Sequence, residues 1–264
     1  MYIRADPLHA FGSLRRAIVV GLFATLGACS PEPMPTAPGG DMPPVARGPI
    51  RVLMLTATAG FRHDSIPTAQ AVMTALSASA GDFTVTVTED LAAIRATALA
   101  DYHVLFFALT SGELPLSPEQ RSAMLEFVRG GKGFLGVHSA SDTLYDWPDY
   151  GRLVGAYFKE HPWTQQGTVV VEDQSHPATR GLAERFSLVE EFYTFRENPR
   201  GLVQVLLRLD AASVGASGDY PLAWAHTYGS GRAYYNALGH FTSTWNDSRF
   251  QQQLAGAIRW AAGR

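Results

Sequence analysis

An α/β fold built on a mostly parallel sheet is the class this sequence predicts, and two observations predict it. Short apolar runs bounded by turn residues, such as Gly133-Phe-Leu-Gly-Val137 behind Gly130 and Gly131, alternate with longer segments of helical spacing. That alternation marks βαβ units, whose strands are apolar throughout because helices cover both faces of the sheet. The second observation is size: 264 residues, 46% hydrophobic and 17% charged, suit one sizeable globular domain or at most two.

The amino end is different in kind. Arg15 and Arg16 precede the apolar stretch 17–26, which meets Leu26-Gly-Ala-Cys29. A basic region, a short apolar core and small residues before a cut site make a secretory signal, and the run is too short to span a bilayer. Leu-Gly-Ala-Cys resembles the lipobox of bacterial lipoproteins, which implies cleavage before Cys29 and lipid on its sulfur. Several acyl chains there would hold the protein at a membrane. Ser30 after the cysteine resembles the pattern for outer-membrane sorting, so the expected location is exported, membrane-anchored and facing the periplasm. Residues 30–49, crowded with proline and glycine, read as an extended tether, and residues 50–264 as the folded domain.

Cys29 is the only cysteine. Disulfides within the chain are excluded, and once the sulfur is lipidated so is thiol catalysis. Removing residues 1–29 leaves 18 basic against 23 acidic side chains. With no basic tract, nucleic acid is not an expected partner.

Along the domain, residues 50–56 read as a first strand, followed by a loop through Gly60-Phe-Arg-His-Asp-Ser65 and a helix over Ile66–Ala80 with Pro67 in its first turn, where the missing N–H costs nothing. Phe83–Thr88 alternates as a second strand and 102–109 is a third, almost wholly apolar. Ser117 caps a helix with Pro118 at its first position, running to Gly130. The strand ending at Val137 comes next and stops at His138, Ser139 and Ser141. Beyond Asp142 the pattern is less regular: an aromatic-rich stretch 145–163 with helix over 151–157, strands over 168–172, Gln204–Leu209, 222–227 and 232–237, and a closing amphipathic helix over 249–262.

Histidine positions then carry information. His63 follows the first strand, His138 the fourth and His240 the last, three of the eight histidines. In a parallel sheet all three point into the crevice at the carboxyl edge, where ligands bind. The bland alternative for His138 is an imidazole satisfied by a neighbouring carbonyl. Glu190 and Glu191 are paired acids inside an apolar segment, so one of them is expected to face a cavity as a metal ligand or proton carrier, or else to pair with Arg196 or Arg200. His161 and His176 each precede proline, which holds them extended. His226 alternates with Trp224 on one strand face, and His103 opens a strand.

Six ordered motifs carry a family resemblance: Gly60-Phe-Arg-His-Asp-Ser65, Gly131-Lys-Gly-Phe-Leu-Gly-Val-His-Ser-Ala-Ser-Asp142, His176-Pro-Ala-Thr179, Glu191-Phe-Tyr-Thr-Phe195, Pro221-Leu-Ala-Trp-Ala-His226, and Gly229-Ser-Gly-Arg232 through Leu238-Gly-His240. Together they resemble the ThuA-like, trehalose-utilisation family from about Ile50 to the carboxyl end. The resemblance implies a flavodoxin-like layered α/β fold of the class I glutamine amidotransferase type. In those enzymes a cysteine sits at the strand-to-helix elbow; here His138 stands in its place and His240 where a later histidine would be. Amidotransfer through a thioester is therefore excluded. Ser139 does not restore a nucleophile elbow, since Gly136-Val-His-Ser-Ala140 is not G-x-S-x-G.

The resemblance implies carbohydrate metabolism, with 3-keto sugars supplied by a partner sugar oxidoreductase. The residues are compatible with it. His63, His138, His240 and Glu191 are the expected ligands of a divalent metal such as zinc, with His138, Glu191 and His240 as the catalytic set of a metal-assisted hydrolase, lyase or isomerase acting on sugar derivatives. Trp147, His161, Trp163, Tyr193, Trp224 and His226 are the expected sugar contacts. The alternative is a non-catalytic glycan-binding lipoprotein that keeps the crevice without the chemistry.

Overall fold

The structure, a computed structural model, describes residues 48–264. The expected signal segment with Cys29, and all of the tether before Gly48, lie outside the described residues. In chain order the described elements are β1 (Ile50–Leu55), α1 (Ile66–Ala80), β2 (Phe83–Thr88), α2 (Ala96–Leu99), β3 (Val104–Ala108), α3 (Pro118–Arg129), β4 (Gly133–Val137), α4 (Pro148–Val154), β5 (Phe158–Val171), β6 (Arg185–Phe195), β7 (Gln204–Leu209), β8 (Tyr220–Tyr228), β9 (Gly231–Asn236), α5 (Thr242–Trp245) and α6 (Ser248–Ala261).

One sheet takes all the strands in the order β2-β1-β3-β4-β9-β8-β7-β5-β6. From β2 to β9 the neighbours are parallel, and from β9 to β6 they are antiparallel. The parallel half is what the apolar runs predict: every residue of β3 and of β4 is buried, which requires cover on both faces. Helix α6 supplies part of that cover. A Cβ at Gly133 would stand 2.8 Å from the Cβ of Ala261, so glycine lets this helix lie directly on β4. On α3 the predicted cap is a full capping box: Ser117 Oγ accepts from the N–H of Gln120 and Gln120 Oε1 accepts from the N–H of Ser117. Among the described residues no helix is long and apolar enough to cross a membrane.

The antiparallel half departs from expectation in three places. Strand β5 starts at Phe158, ten residues before the predicted start at 168. Its amino half carries Pro162 and is mostly exposed, and it joins β6 through two register shifts, so it lacks the apolar alternation a strand reading relies on. Strand β6 was not expected at all, because Glu190 and Glu191 interrupt the apolar pattern. The helix expected over 151–157 is α4, Pro148–Val154, which Gly155 ends with φ +98°.

Candidate metal and catalytic site

The carboxyl ends of β1, β4 and β9 lie on one edge of the parallel half of the sheet, with β3 between the first two, and the loops that follow them deliver His63, His138 and His240 to one place. His138 directly follows β4 with φ +52°, a left-handed conformation that a β-carbon disfavours. It is held there from several sides. Its carbonyl accepts from Tyr235 Oη at 2.7 Å and Ser141 Oγ at 3.3 Å, and its ring Nδ1 lies 2.8 Å from the carbonyl of Ala237. A carbonyl only accepts, so Nδ1 carries a proton and Nε2 faces the cluster, where it binds a metal ion as a neutral imidazole or donates to Glu191 when protonated. The satisfied-by-carbonyl alternative thus holds for one nitrogen and frees the other.

Glu191, on β6, completes the group. Its Oε2 is 3.4 Å from His138 Nε2 and 3.1 Å from His240 Nδ1, and those two nitrogens are 3.3 Å apart. His63 packs edge-on to both imidazoles, with ring centroids 4.7 Å from His138 and 5.1 Å from His240, and its Nδ1 lies 3.4 Å from Ser139 Oγ. One ligand atom from each of the four residues lies within 4.8 Å of all the others.

Electrostatics favours a cation among them. Burial pushes the His63 pKa down to about 3, and His138 and His240 push it the same way, so at neutral pH it is a neutral ligand. Burial alone would raise the Glu191 carboxyl. Its hydrogen bonds and attraction to His138 and His240 outweigh that and hold it well below the usual carboxylate range. His240 shows the reverse balance: burial opposes its charge, the bond to Glu191 more than compensates, and its pKa is raised. A His138 lone pair facing an ionised carboxylate repels it unless a proton or a metal ion lies between. Zinc bonds of roughly 2.0–2.2 Å put tetrahedral ligands about 3.5 Å apart. The donor set therefore fits zinc, after small rotations at the widest pair.

Glu190 supports the group from behind. Fully buried, it accepts the backbone N–H groups of Gly239, His240 and Glu191 at 2.9, 3.1 and 3.0 Å and the Thr244 hydroxyl at 2.7 Å. The alternative, an ion pair of these acids with Arg196 or Arg200, is not made. Arg200 binds Asp219 and Glu172, and Arg196 lies over the Tyr145 ring at 4.0 Å.

This arrangement can be set beside known proteins. The family model described as ThuA, trehalose utilisation, matches residues 51–261. The chain belongs to the ThuA family. Among solved structures, a ThuA-like protein from Bacteroides uniformis superposes with a TM-score of 0.68 at 24% identity, covering 84% of this chain and 95% of that one. Another from Parabacteroides merdae gives 0.67 at 20% identity over 81% and 90%. A GMP synthase-type protein from Thermoplasma acidophilum gives 0.52 at 10% identity over 82% and 96%. These likenesses support the amidotransferase-type fold of this ThuA protein. No curated protein matches it in sequence.

The expected sugar contacts are scattered. His161 lies at the site, its Nδ1 3.3 Å from Glu191 Oε1 and its side chain half exposed. Tyr193 backs the site with its ring 4.2 Å from that of His138, but is 3% exposed. Two tryptophans must be corrected. Trp224 is wholly buried, donates to the carbonyl of Val154 at 2.9 Å and packs on Tyr235; Trp147 is 9% exposed and stacks on Tyr150. Both are core side chains with no free face for a ligand. Trp163 sits edge-on to Tyr220. His226 lines a separate cleft of about 670 Å³, together with Arg196, Tyr157 and Leu202, and that cleft contains none of the four clustered residues. His176 is buried against Trp260, consistent with a loop-shaping role. Sequence reasoning missed the anchoring function of Glu190 and the tyrosine support from Tyr235.

Proposed function

We propose that this ThuA protein is an enzyme acting on a sugar or 3-keto sugar through a divalent ion of the zinc type held by His63, His138, His240 and Glu191. The convergence of these four side chains, on a backbone strained at His138, is the observation that carries the reading. Such an ion, when bound by three of these side chains or by all four with its coordination expanded to five, would have a position from which to polarise a sugar carbonyl or ene-diolate oxygen. The rest falls to the chain. His138 is fixed in one tautomer by Ala237, and His240 is fixed through its own N–H by Glu190. Glu191 turns Oε2 to the cluster and Oε1 to His161 Nδ1 at 3.3 Å, so a proton taken up at Oε1 can pass to that half-exposed imidazole. Export on a lipidated Cys29, and supply of substrate by a sugar oxidoreductase, complete the proposal.

The test is metal analysis of the purified protein together with product analysis after incubation with oxidised and unoxidised disaccharides. Near-stoichiometric metal, lost in His138→Ala along with turnover, is the expected result. Background metal, with no product from any sugar, would overturn the reading.

A further inference from the structure

Three large apolar side chains stand exposed among the described residues, and one of them borders the site. Phe61 is 64% exposed, yet its ring centroid lies 4.8 Å from that of His63, edge-on. Phe61 and Phe241 both line a cleft of about 160 Å³ that also contains His63 and His240. The Phe241 ring is 4.6 Å from that of His240, again edge-on. Two aromatic rings thus border the cleft, each against a different histidine of the cluster.

A lone exposed phenylalanine is common on protein surfaces. This one differs in how its backbone is held. The carbonyl of Phe61 accepts from Ser111 Oγ at 2.5 Å, and the N–H groups of Ala59 and Gly60 bond to the carbonyl of Ser111 at 2.8 and 3.2 Å. On the other side, Arg62 grips Glu89 through two bonds of 2.7 and 3.1 Å. Gly60 lies so close to Gly112 that a Cβ on the latter would stand 2.5 Å from its nitrogen. The loop therefore presents an apolar ring to water from a fixed position, which lowers the ordering cost of a ligand that covers it.

We propose that Phe61, with Phe241 as the second wall, is the platform on which one pyranose ring of the substrate stacks. The apolar C–H face of the ring lies on the aromatic surface, and its oxygens reach towards His63 and His240. The cleft is smaller than a pocket for a whole drug-sized ligand. It therefore takes a single sugar unit, with the remainder of a disaccharide left in solvent. This assignment rests on the carbohydrate reading above and narrows its substrate class to pyranosides with an unobstructed apolar face.

The experiment is saturation-transfer NMR and affinity titration of the zinc-supplemented full protein with methyl β-glucopyranoside and with trehalose. Wild type, Phe61→Ala, Phe61→Trp and the distant control Leu202→Ala are compared, with zinc affinity and sedimentation measured on each. The expected result is roughly tenfold weaker sugar binding in Phe61→Ala, retention in Phe61→Trp with a shift of the new indole emission, and unchanged zinc affinity. Equal sugar binding by wild type and Phe61→Ala overturns the platform and leaves the carbohydrate reading standing. A change in self-association in Phe61→Ala, without loss of sugar binding, makes Phe61 a protein contact and also overturns it. If wild type binds zinc but neither sugar, the carbohydrate reading fails and the platform fails with it.

Discussion

Glu190 and Glu191, adjacent on β6, act on the same residue from two sides: Glu190 accepts the backbone N–H of His240 at 3.1 Å, and Glu191 faces its imidazole nitrogen at 3.1 Å. One carboxylate sets where the histidine stands, the other what its ring can bind. Substituting Glu190 therefore tests placement without touching the clustered ligand atoms. Glu190→Ala leaves several buried donors unpaired and should cost on the order of 3 kcal/mol of stability. Glu190→Gln should be nearly as harmful, because its amide turns a donor towards donors. Denaturant unfolding measures the cost, and zinc titration of the folded fraction should show weaker binding in both variants; wild-type zinc affinity would remove the positioning role.

Metal affinity should depend on pH through His240. Its raised pKa means that, without a metal, the ring keeps its proton above the ordinary imidazole range, and an incoming ion must displace that proton. Zinc binding should therefore release a proton and weaken as pH falls. The metal-free protein carries the opposite sign. The His240–Glu191 attraction contributes its full stability below the unfolded imidazole pKa and loses it as pH rises through the raised folded value. Calorimetric titration in buffers of different ionisation enthalpy reads the first effect, and melting of the metal-free protein against pH reads the second.

Acid should destabilise the fold through His176. This imidazole is 5% exposed, Nδ1 accepts from the N–H of Ala178 at 3.2 Å, and burial lowers its pKa to about 4. The unfolded chain binds the proton near pH 6.5, so between about 6.5 and 4 the unfolded state holds more protons and stability falls with pH. The loss is on the order of 3 kcal/mol. His176→Asn keeps an acceptor and removes the titration. Its unfolding midpoint should be flatter over that window than that of wild type, and parallel curves would refute the assignment.

Gly155 should tolerate no side chain. A Cβ there would stand 2.4 Å from Trp224 Nε1, and φ is +98°. Gly155→Ala forces Trp224 off its bond to Val154 and should lower stability by about 3 kcal/mol. The accompanying change in tryptophan emission would show that the indole had moved.

How much of this was legible in the sequence follows from local physics. The parallel half was readable because β3 and β4 are uninterrupted apolar runs, β1 is broken only by the exposed Arg51, and α3 between β3 and β4 carries its own capping box. The clustering of His63, His138 and His240 followed from topology, since strand ends in a parallel sheet share an edge. Strand β6 was hidden because its two central carboxylates are there to bind His240 and the cluster, at the expense of the apolar pattern. Trp224 and Trp147 were misjudged because composition cannot distinguish an aromatic that faces a ligand from one that fills the core.

The left-handed backbone at His138 has a consequence for which residues survive there. With φ at +52°, glycine and asparagine fit more easily than any residue with a larger side chain. A library randomised at this codon and sorted only for folded protein should drift towards those two. Sorted for the working site, it should return to histidine, and the gap between the two outcomes separates the demands of chemistry from those of architecture at one position.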